Sequence, residues 1–196
     1  MDHGKKKSES EFLTSSHSFH EYGKLMQLVE SGRLDDFKVF WHQVTLENSS
    51  NLDINFSLPY PHLKTFLDVA TLRNFTAFVR FLLQIGADPN LLNAEYQRAP
   101  IHFAAENGSI DVLSVLLQFN EIDYDLKTPS GLTALHFAVT SGSEECVKLL
   151  LEAGASPNIP NNKGITAIHL AVNQNKRKIV ELILICSSKL DIDTFK

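Results

Sequence analysis

Three histidines recur at one position of a repeated motif and are the residues of this sequence that most suggest chemistry. They are His102, His136 and His169. Imidazole can bind a metal ion or transfer protons near neutral pH. However, equivalent positions of stacked helical repeats lie about 10 Å apart, whereas a Zn–N bond measures about 2 Å. The three rings therefore cannot share one ion, and we expect them to have a structural role.

Other catalytic patterns are missing from the sequence. The serines lack a Gly-x-Ser-x-Gly elbow, and the glycines are spaced as turn residues rather than as a phosphate-binding loop. Cys146 and Cys186 each fall within an apolar helical pattern, so we expect small buried side chains and no disulfide. The sequence predicts no enzyme: no catalytic residue, no metal site and no cofactor.

The composition narrows the class of partner. The formal net charge is −5, with 43% hydrophobic and 21% charged residues. An acidic chain is poorly suited to binding nucleic acid, because that requires cations that displace counterions from phosphates. No run approaches the roughly 18 apolar residues of a membrane span, so we expect no direct insertion into a membrane. Protein partners remain the expected class.

An internal repeat organises most of the chain. Four segments open with Thr65-Phe-Leu-Asp-Val-Ala70, Ala99-Pro-Ile-His-Phe-Ala104, Thr133-Ala-Leu-His-Phe-Ala138 and Thr166-Ala-Ile-His-Leu-Ala171. Each is followed by a second apolar block, and two repeats close with Gly86-Ala-Asp-Pro-Asn90 and Gly154-Ala-Ser-Pro-Asn158. The regular spacing of these motifs indicates helical units that stack on one another to bury their apolar faces.

The residue types at fixed positions agree with a helix–turn–helix unit. Thr65, Thr133 and Thr166 stand where a hydroxyl can cap the first helix. The alanine of each opening motif is small enough for helices to approach closely. Residues that tolerate a left-handed backbone end the first helix: Asn74, Gly108, Gly142 and Asn175.

These motifs resemble the ankyrin-repeat family, whose pattern is a Thr-Pro-Leu-His-x-Ala opening and a Gly-Ala-Asp-x-Asn closing turn. The resemblance implies an all-α solenoid of stacked antiparallel helix pairs joined by β-hairpin-like turns. It places four repeats at about residues 62–92, 96–126, 130–160 and 163–193. It also implies that the recurring histidine bonds to backbone near its own turn.

The two ends of the array differ from its middle. Residues 1–18 are polar, and we expect a disordered tail there. Residues 19–58 show helical periodicity at 24–31 and 34–45 and are interpreted as a degenerate N-terminal repeat, which leads into the regular array over 59–196. Residues 190–193 match a closing turn and 194–196 the start of another hairpin, so we expect the array to continue beyond residue 196.

We expect a protein partner to bind at the hairpin tips and the concave helix face, where structural demands are few. Tyr96 is the leading candidate, because an exposed aromatic offers a large contact area. The predicted tip residues are Asn93, Glu95, Tyr96, Lys127, Ser130, Asn162 and Lys163, and the predicted concave-face residues are Glu106, Asn107, Thr140, Ser141, Asn173 and Gln174.

Two interpretations of the function remain open. The bulky first repeat, the two Gly-Ala closing turns and the ending Leu190-Asp-Ile-Asp-Thr-Phe195 resemble the cytoplasmic N-terminal region of insect transient receptor potential channels of the painless type. That resemblance implies a location at the cytoplasmic face of a membrane and assembly with further copies. The alternative is a free-standing cytosolic adaptor or inhibitor that masks a partner protein.

Overall fold

The computed structural model describes residues 9–47, 52–57 and 63–193. Helices account for the regular structure of these residues, and no strand occurs among them. The fold is therefore all-α, as predicted. The helices are α1 Glu9–Glu30, α2 Leu34–Glu47, α3 Phe66–Leu72, α4 Thr76–Gln84, α5 Pro100–Asn107, α6 Ile110–Leu117, α7 Ala134–Ser141, α8 Glu144–Ala153, α9 Ala167–Asn173 and α10 Arg177–Asp193.

Consecutive helices of the described chain form pairs that stack side by side. The inner row runs α1, α3, α5, α7 and α9, and the outer helices α4, α6, α8 and α10 pack in the same order. We call α3/α4, α5/α6, α7/α8 and α9/α10 the first to fourth regular repeats. One continuous apolar core runs through the stack, because each pair buries its apolar side against its neighbours.

The turn inside each regular pair depends on a residue with positive φ. Gly108 and Gly142 have φ values of 65° and 84°, and Asn74 and Asn175 take the same region at 58° and 56°. The alanines of the opening motifs, at positions 70, 104, 138 and 171, are all fully buried. Both features agree with the sequence-based expectation for close helix packing.

The helix caps differ in part from the prediction that a threonine hydroxyl caps the first helix of these repeats. The Thr65 hydroxyl accepts a hydrogen bond from the Asp68 N–H at 3.1 Å, as a capping residue does. The hydroxyls of Thr133 and Thr166 bond instead to the Nδ1 atoms of His136 and His169, at 2.9 and 3.0 Å. In these repeats the imidazole, rather than the hydroxyl alone, holds the start of the helix.

The N-terminal pair is longer than the sequence indicated. Helix α1 begins at Glu9, so the expected disordered tail over 1–18 is wrong for residues 9–18, while residues 1–8 lie outside the described part of the chain. Tyr22, Leu25 and Val29 bury the helix against the core. Once these residues have fixed the helix, its extension into a polar segment adds one hydrogen bond per residue without a new nucleation cost.

The C-terminal helix is also longer than expected. Helix α10 runs to Asp193, so the closing turn predicted at 190–193 is wrong, and the hairpin start predicted at 194–196 lies outside the described residues. Gly154, with φ 105°, ends α8, whereas the sequence has Ser187 at the equivalent position. Without a residue that favours the left-handed region, the chain stays helical.

Candidate binding surface

The recurring histidines tie neighbouring repeats together. His102 Nδ1 accepts a hydrogen bond from the Ala99 N–H at 3.0 Å, and its Nε2 donates to the Leu126 carbonyl at 2.9 Å. His136 repeats the arrangement with Thr133 N–H at 3.2 Å and Ile165 O at 3.1 Å. This pattern assigns the ring proton to Nε2. Burial lowers the pKa of both rings, which favours the neutral form that the bonds require.

The third histidine lies in a different environment. His169 Nδ1 accepts from the Thr166 N–H at 3.2 Å, but its ring is exposed. Among the described residues, no group of three or more His, Cys, Asp or Glu side chains is arranged to hold a metal ion. His102 and His136 each bond to backbone atoms of two successive hairpins, and His169 bonds to Thr166.

Asn93 was predicted at an exposed tip, but the structure buries it to 2% exposure. Its Oδ1 accepts from the Tyr96 N–H at 2.8 Å, and its amide faces Asp68, which replaces the histidine in the first regular repeat. Asn93 Nδ2 and Asp68 Oδ1 are both buried, and neither forms a hydrogen bond with a described residue. Because Asn93 is buried and its carbonyl shapes the turn, it does not belong to the binding surface.

Burial raises the pKa of Asp68 to about 6, against a smaller opposing effect from its hydrogen bonds to Thr65. Asp68 Oδ2 accepts from the Thr65 N–H at 2.9 Å and from the Thr65 hydroxyl at 3.0 Å. Asp68 thus performs the capping half of the histidine's role, at the cost of a buried ionisable group.

Tyr96 lies on the exposed tip of the hairpin before α5, with 49% of its surface accessible. Its ring meets the edge of Phe103 with centroids 5.8 Å apart, and the ammonium of Lys64 lies 5.2 Å from the ring centroid. Lys64 also forms an ion pair with Glu95, and hydrogen bonds from Lys64 and Tyr96 lower the Glu95 pKa. The tip is a compact cluster with a tyrosine available for contact.

A second ion pair joins the same hairpin to the concave face. Arg98 Nη1 lies 2.7 Å from Glu106 Oε2, and its guanidinium lies 4.3 Å from the centroid of the Phe137 ring. Phe103 and Phe137 themselves are buried. The charges of this part of the surface are therefore mutually neutralised.

The hairpin before α7 and the hairpin before α9 are joined by direct hydrogen bonds. The Asn162 N–H donates to the Ser130 carbonyl at 3.1 Å, and the Asn162 side-chain amide donates to the Pro129 carbonyl at 2.8 Å. Lys127 and Lys163 flank this contact, and both are exposed. These predicted residues therefore lie on one joined platform.

The predicted residues at the ends of the inner helices are all exposed. Two of them also have structural bonds: Thr140 donates to the His136 carbonyl at 2.8 Å, and Ser141 donates to the Ala105 carbonyl of the preceding repeat at 3.1 Å. Asn107, Asn173 and Gln174 complete this set. The concave face accordingly presents amides and hydroxyls beside the hairpin tips.

Lys64 and Arg98 were missed as surface residues by the sequence analysis. Each directly precedes the residue that begins a repeat motif, Thr65 or Ala99. Their shared position in the repeat, one residue before the cap, is the signal that could have revealed them.

A row of side-chain bonds between the outer loops was also missed. Asn55 Oδ1 accepts from the Asp88 N–H at 2.7 Å, Asn90 Oδ1 from the Asp123 N–H at 2.9 Å, and Asp125 Oδ1 from the Ser156 N–H at 2.8 Å. Each bond joins one closing turn to the next. These polar residues join the repeats along their closing turns.

Comparison with known proteins agrees with this geometry. The family model described as ankyrin repeats (3 copies) matches residues 25–128, 66–161 and 101–195. The chain belongs to the ankyrin-repeat family. The family accounts for the clamping histidines and the paired helices of the array, and ankyrin repeats act as protein-interaction modules.

Several ankyrin-containing proteins are similar over part of their length. The human transient receptor potential cation channel subfamily A member 1 is 30% identical over 156 residues, which are 74% of this chain and 14% of the channel. The mouse B-cell lymphoma 3 protein homolog is 40% identical over 47% of this chain and 21% of its own. The chicken nuclear factor NF-kappa-B p105 subunit is 35% identical over 51% and 10%. The chain thus spans about a fifth or less of each of these relatives.

Among the helices of the described residues, none combines the length and the hydropathy that a membrane span requires.

Proposed function

We propose that this ankyrin array is a protein-interaction scaffold without catalytic activity, and that it forms the cytoplasmic N-terminal part of a larger protein such as a transient receptor potential cation channel. The observation that carries the channel assignment is the extent of similarity. The match to the channel extends over 74% of the chain, compared with about half for the two relatives of other kinds.

Tyr96 is the proposed contact residue. Its ring is held by the edge contact with Phe103 and by Lys64, yet half of it remains accessible. A side chain that is already ordered loses little conformational freedom when it binds. The other proposed tip residues are Glu95, Lys127, Ser130, Asn162 and Lys163, and the proposed concave-face residues are Glu106, Asn107, Thr140, Ser141, Asn173 and Gln174.

The test of this surface is the affinity of Tyr96→Ala for a partner captured by photo-crosslinking and then purified. We expect at least tenfold weaker binding, as for an interface hot spot, with a loss of only about 1 kcal/mol in the free energy of unfolding from the lost ring contact. Ile110→Ala, at an exposed position on the outer helix α6, is the matched control. Equal binding by both variants would remove Tyr96 from the interface.

The second candidate is a free-standing cytosolic adaptor or inhibitor that masks a partner protein. It is favoured by the higher identity, 40% over 95 residues, with the B-cell lymphoma 3 protein homolog. The two candidates differ in what the transcript encodes after Lys196. Six apolar spans of about 20 residues each would support the channel, in which copies of the chain assemble around a pore, and an immediate stop codon would support the adaptor.

A further inference from the structure

The first two and the last two regular repeats differ in whether the basic residues of their hairpins form ion pairs with carboxylates. In the first two repeats, Lys64 pairs with Glu95 and Arg98 pairs with Glu106. In the last two, Lys127 and Lys163 are exposed, and neither forms an ion pair with a described residue. An unbalanced positive charge therefore lies at the hairpins of the third and fourth repeats.

The hairpins and inner helices of the third and fourth repeats carry no carboxylate. Residues 127–143 and 160–176, which form the two hairpins and inner helices, contain no Asp or Glu. The acidic residues of the same repeats lie on the outer helices, at positions 144, 145, 152, 181, 191 and 193. Asp123 and Asp125, in the loop before Lys127, accept bonds from the N–H groups of Asp125 and Ser156, and neither forms an ion pair with Lys127 within the described residues.

Both lysines stand on a rigid backbone. Leu126, directly before Lys127, receives the Nε2 bond of His102, and Ile165, shortly after Lys163, receives that of His136. The Asn162 bonds to Pro129 and Ser130 then join the two hairpins. A platform ordered in this way loses little conformational entropy when a ligand binds.

We propose that the concave side of the third and fourth repeats binds an extended acidic segment of a partner protein, with carboxylates on Lys127 and Lys163. This inference rests on the proposed scaffold function and names the class of partner. Lys127 directly precedes the residue that opens its hairpin turn, and Lys163 lies two residues after the equivalent residue of the next hairpin. An extended chain advances about 3.3 Å per residue, so a segment with carboxylates spaced along it can reach both lysines. Thr140, Asn173 and Gln174 supply donors and acceptors for the intervening main chain.

The probe is a short fluorescein-labelled peptide with Glu at every third position and Gly or Ser between, added to the full chain. Its matched partner has Gln in place of each Glu. Fluorescence anisotropy is measured at low and at high NaCl, for the unsubstituted chain, for Lys127→Glu combined with Lys163→Glu, and for Lys148→Glu. Lys148 is exposed on the outer helix α8. Lys148→Glu therefore makes the same charge change per site, but on an outer helix instead of a hairpin.

We expect the Glu peptide to bind at least tenfold more tightly than the Gln peptide at low salt, and to lose most of that advantage at about 1 M NaCl, where screening is nearly complete. The double variant should lower affinity about tenfold or more and Lys148→Glu less than twofold. Circular dichroism melting confirms that each variant is folded.

Three outcomes would overturn the inference: equal binding of the Glu and Gln peptides, an equal loss in Lys148→Glu, or tighter binding of a single-stranded oligonucleotide of matched charge. The scaffold function is judged separately by the Tyr96 experiment. If the acidic peptide does not bind but Tyr96→Ala still weakens a captured protein partner, the scaffold function stands and this inference falls.

Discussion

At the scale of single residues, the histidine clamp shows how one side chain can serve two repeats. His136 is buried, caps α7 through Nδ1 and bonds to the following hairpin through Nε2. His169 makes the first of these contacts but is exposed. The same residue type in the same motif should therefore contribute differently to stability.

We predict that His136→Ala lowers the free energy of unfolding by about 2–4 kcal/mol, because it leaves a cavity and unpaired buried backbone groups. His169→Ala should cost about 1 kcal/mol or less, the usual value of a helix cap. Urea denaturation of both variants measures the difference. Equal losses would show that the bond to Ile165 contributes nothing to the stack.

Asp68 should give the protein a measurable pH dependence of stability. Its pKa is raised by burial to about 6 from an ordinary value of 3.8, so between these values the folded state binds more protons than the unfolded state. The contribution of Asp68 therefore falls as pH rises from about 4 to 6, by up to about 3 kcal/mol over that interval.

The buried histidines act in the opposite direction, since their lowered pKa values make stability fall as pH drops below about 6.5. The Asp68 contribution is isolated by comparing the chain with Asp68→Asn at about pH 4.5 and pH 7 in urea denaturation. We expect the variant to be less stabilised by acid than the unsubstituted chain. An identical pH response would show that the Asp68 carboxyl titrates normally.

At the scale of elements, the hairpins depend on close backbone contact between repeats. Gly131 has φ 77°, and a Cβ there would lie 2.6 Å from Asn162 Oδ1 and 2.8 Å from the Asn162 backbone nitrogen. Gly164 occupies the equivalent place with φ 74°, and a Cβ added at that position would have nothing within 4 Å. Of these two positions, only Gly131 has atoms of a neighbouring hairpin where an added Cβ would lie.

We predict that Gly131→Ala costs at least about 2 kcal/mol more than Gly164→Ala, because a crowded site must shift to admit the added methyl group. Both variants bear the strain of a side chain at positive φ, about 1 kcal/mol, but only the first forces backbone apart. Thermal unfolding followed by circular dichroism compares them directly. A similar loss in the two would mean that the hairpins separate without cost.

At the scale of the whole molecule, stability is shared between neighbouring repeats. Helices α3 to α8 have a helical pair packed on both sides, whereas α1/α2 and α9/α10 end the stack of described pairs. In such arrays each unit is stabilised by its own contacts and those of its nearest neighbours. The middle of the array should therefore open least often.

Hydrogen–deuterium exchange checks this expectation. We predict the slowest amide exchange in α5, α6, α7 and α8 and faster exchange in α2 and α10, because local opening at an end breaks one interface instead of two. Leu113→Ala, a cavity in the core of α6, should also speed exchange in the adjacent α4 and α8. Uniform exchange across all helices would instead indicate a single cooperative unit.

The sequence by itself determined the repeat, the helix pairs and the turns within them. Periodicity, the small alanines and the residues at Asn74, Gly108, Gly142 and Asn175 act over a few neighbouring positions, so local pattern was sufficient to place them. The clamping role of the histidines followed from the same motif through its family resemblance.

Only the tertiary structure decided which predicted surface residues are free. Asn93 is buried and Glu95 and Glu106 are paired, because the side chains that meet them, Asp68, Lys64 and Arg98, are placed by packing as well as by sequence. The lengths of α1 and α10 were likewise misjudged from their polar ends. Contacts between successive repeats depend on how one repeat seats on the next, and that geometry has no local signature in the chain.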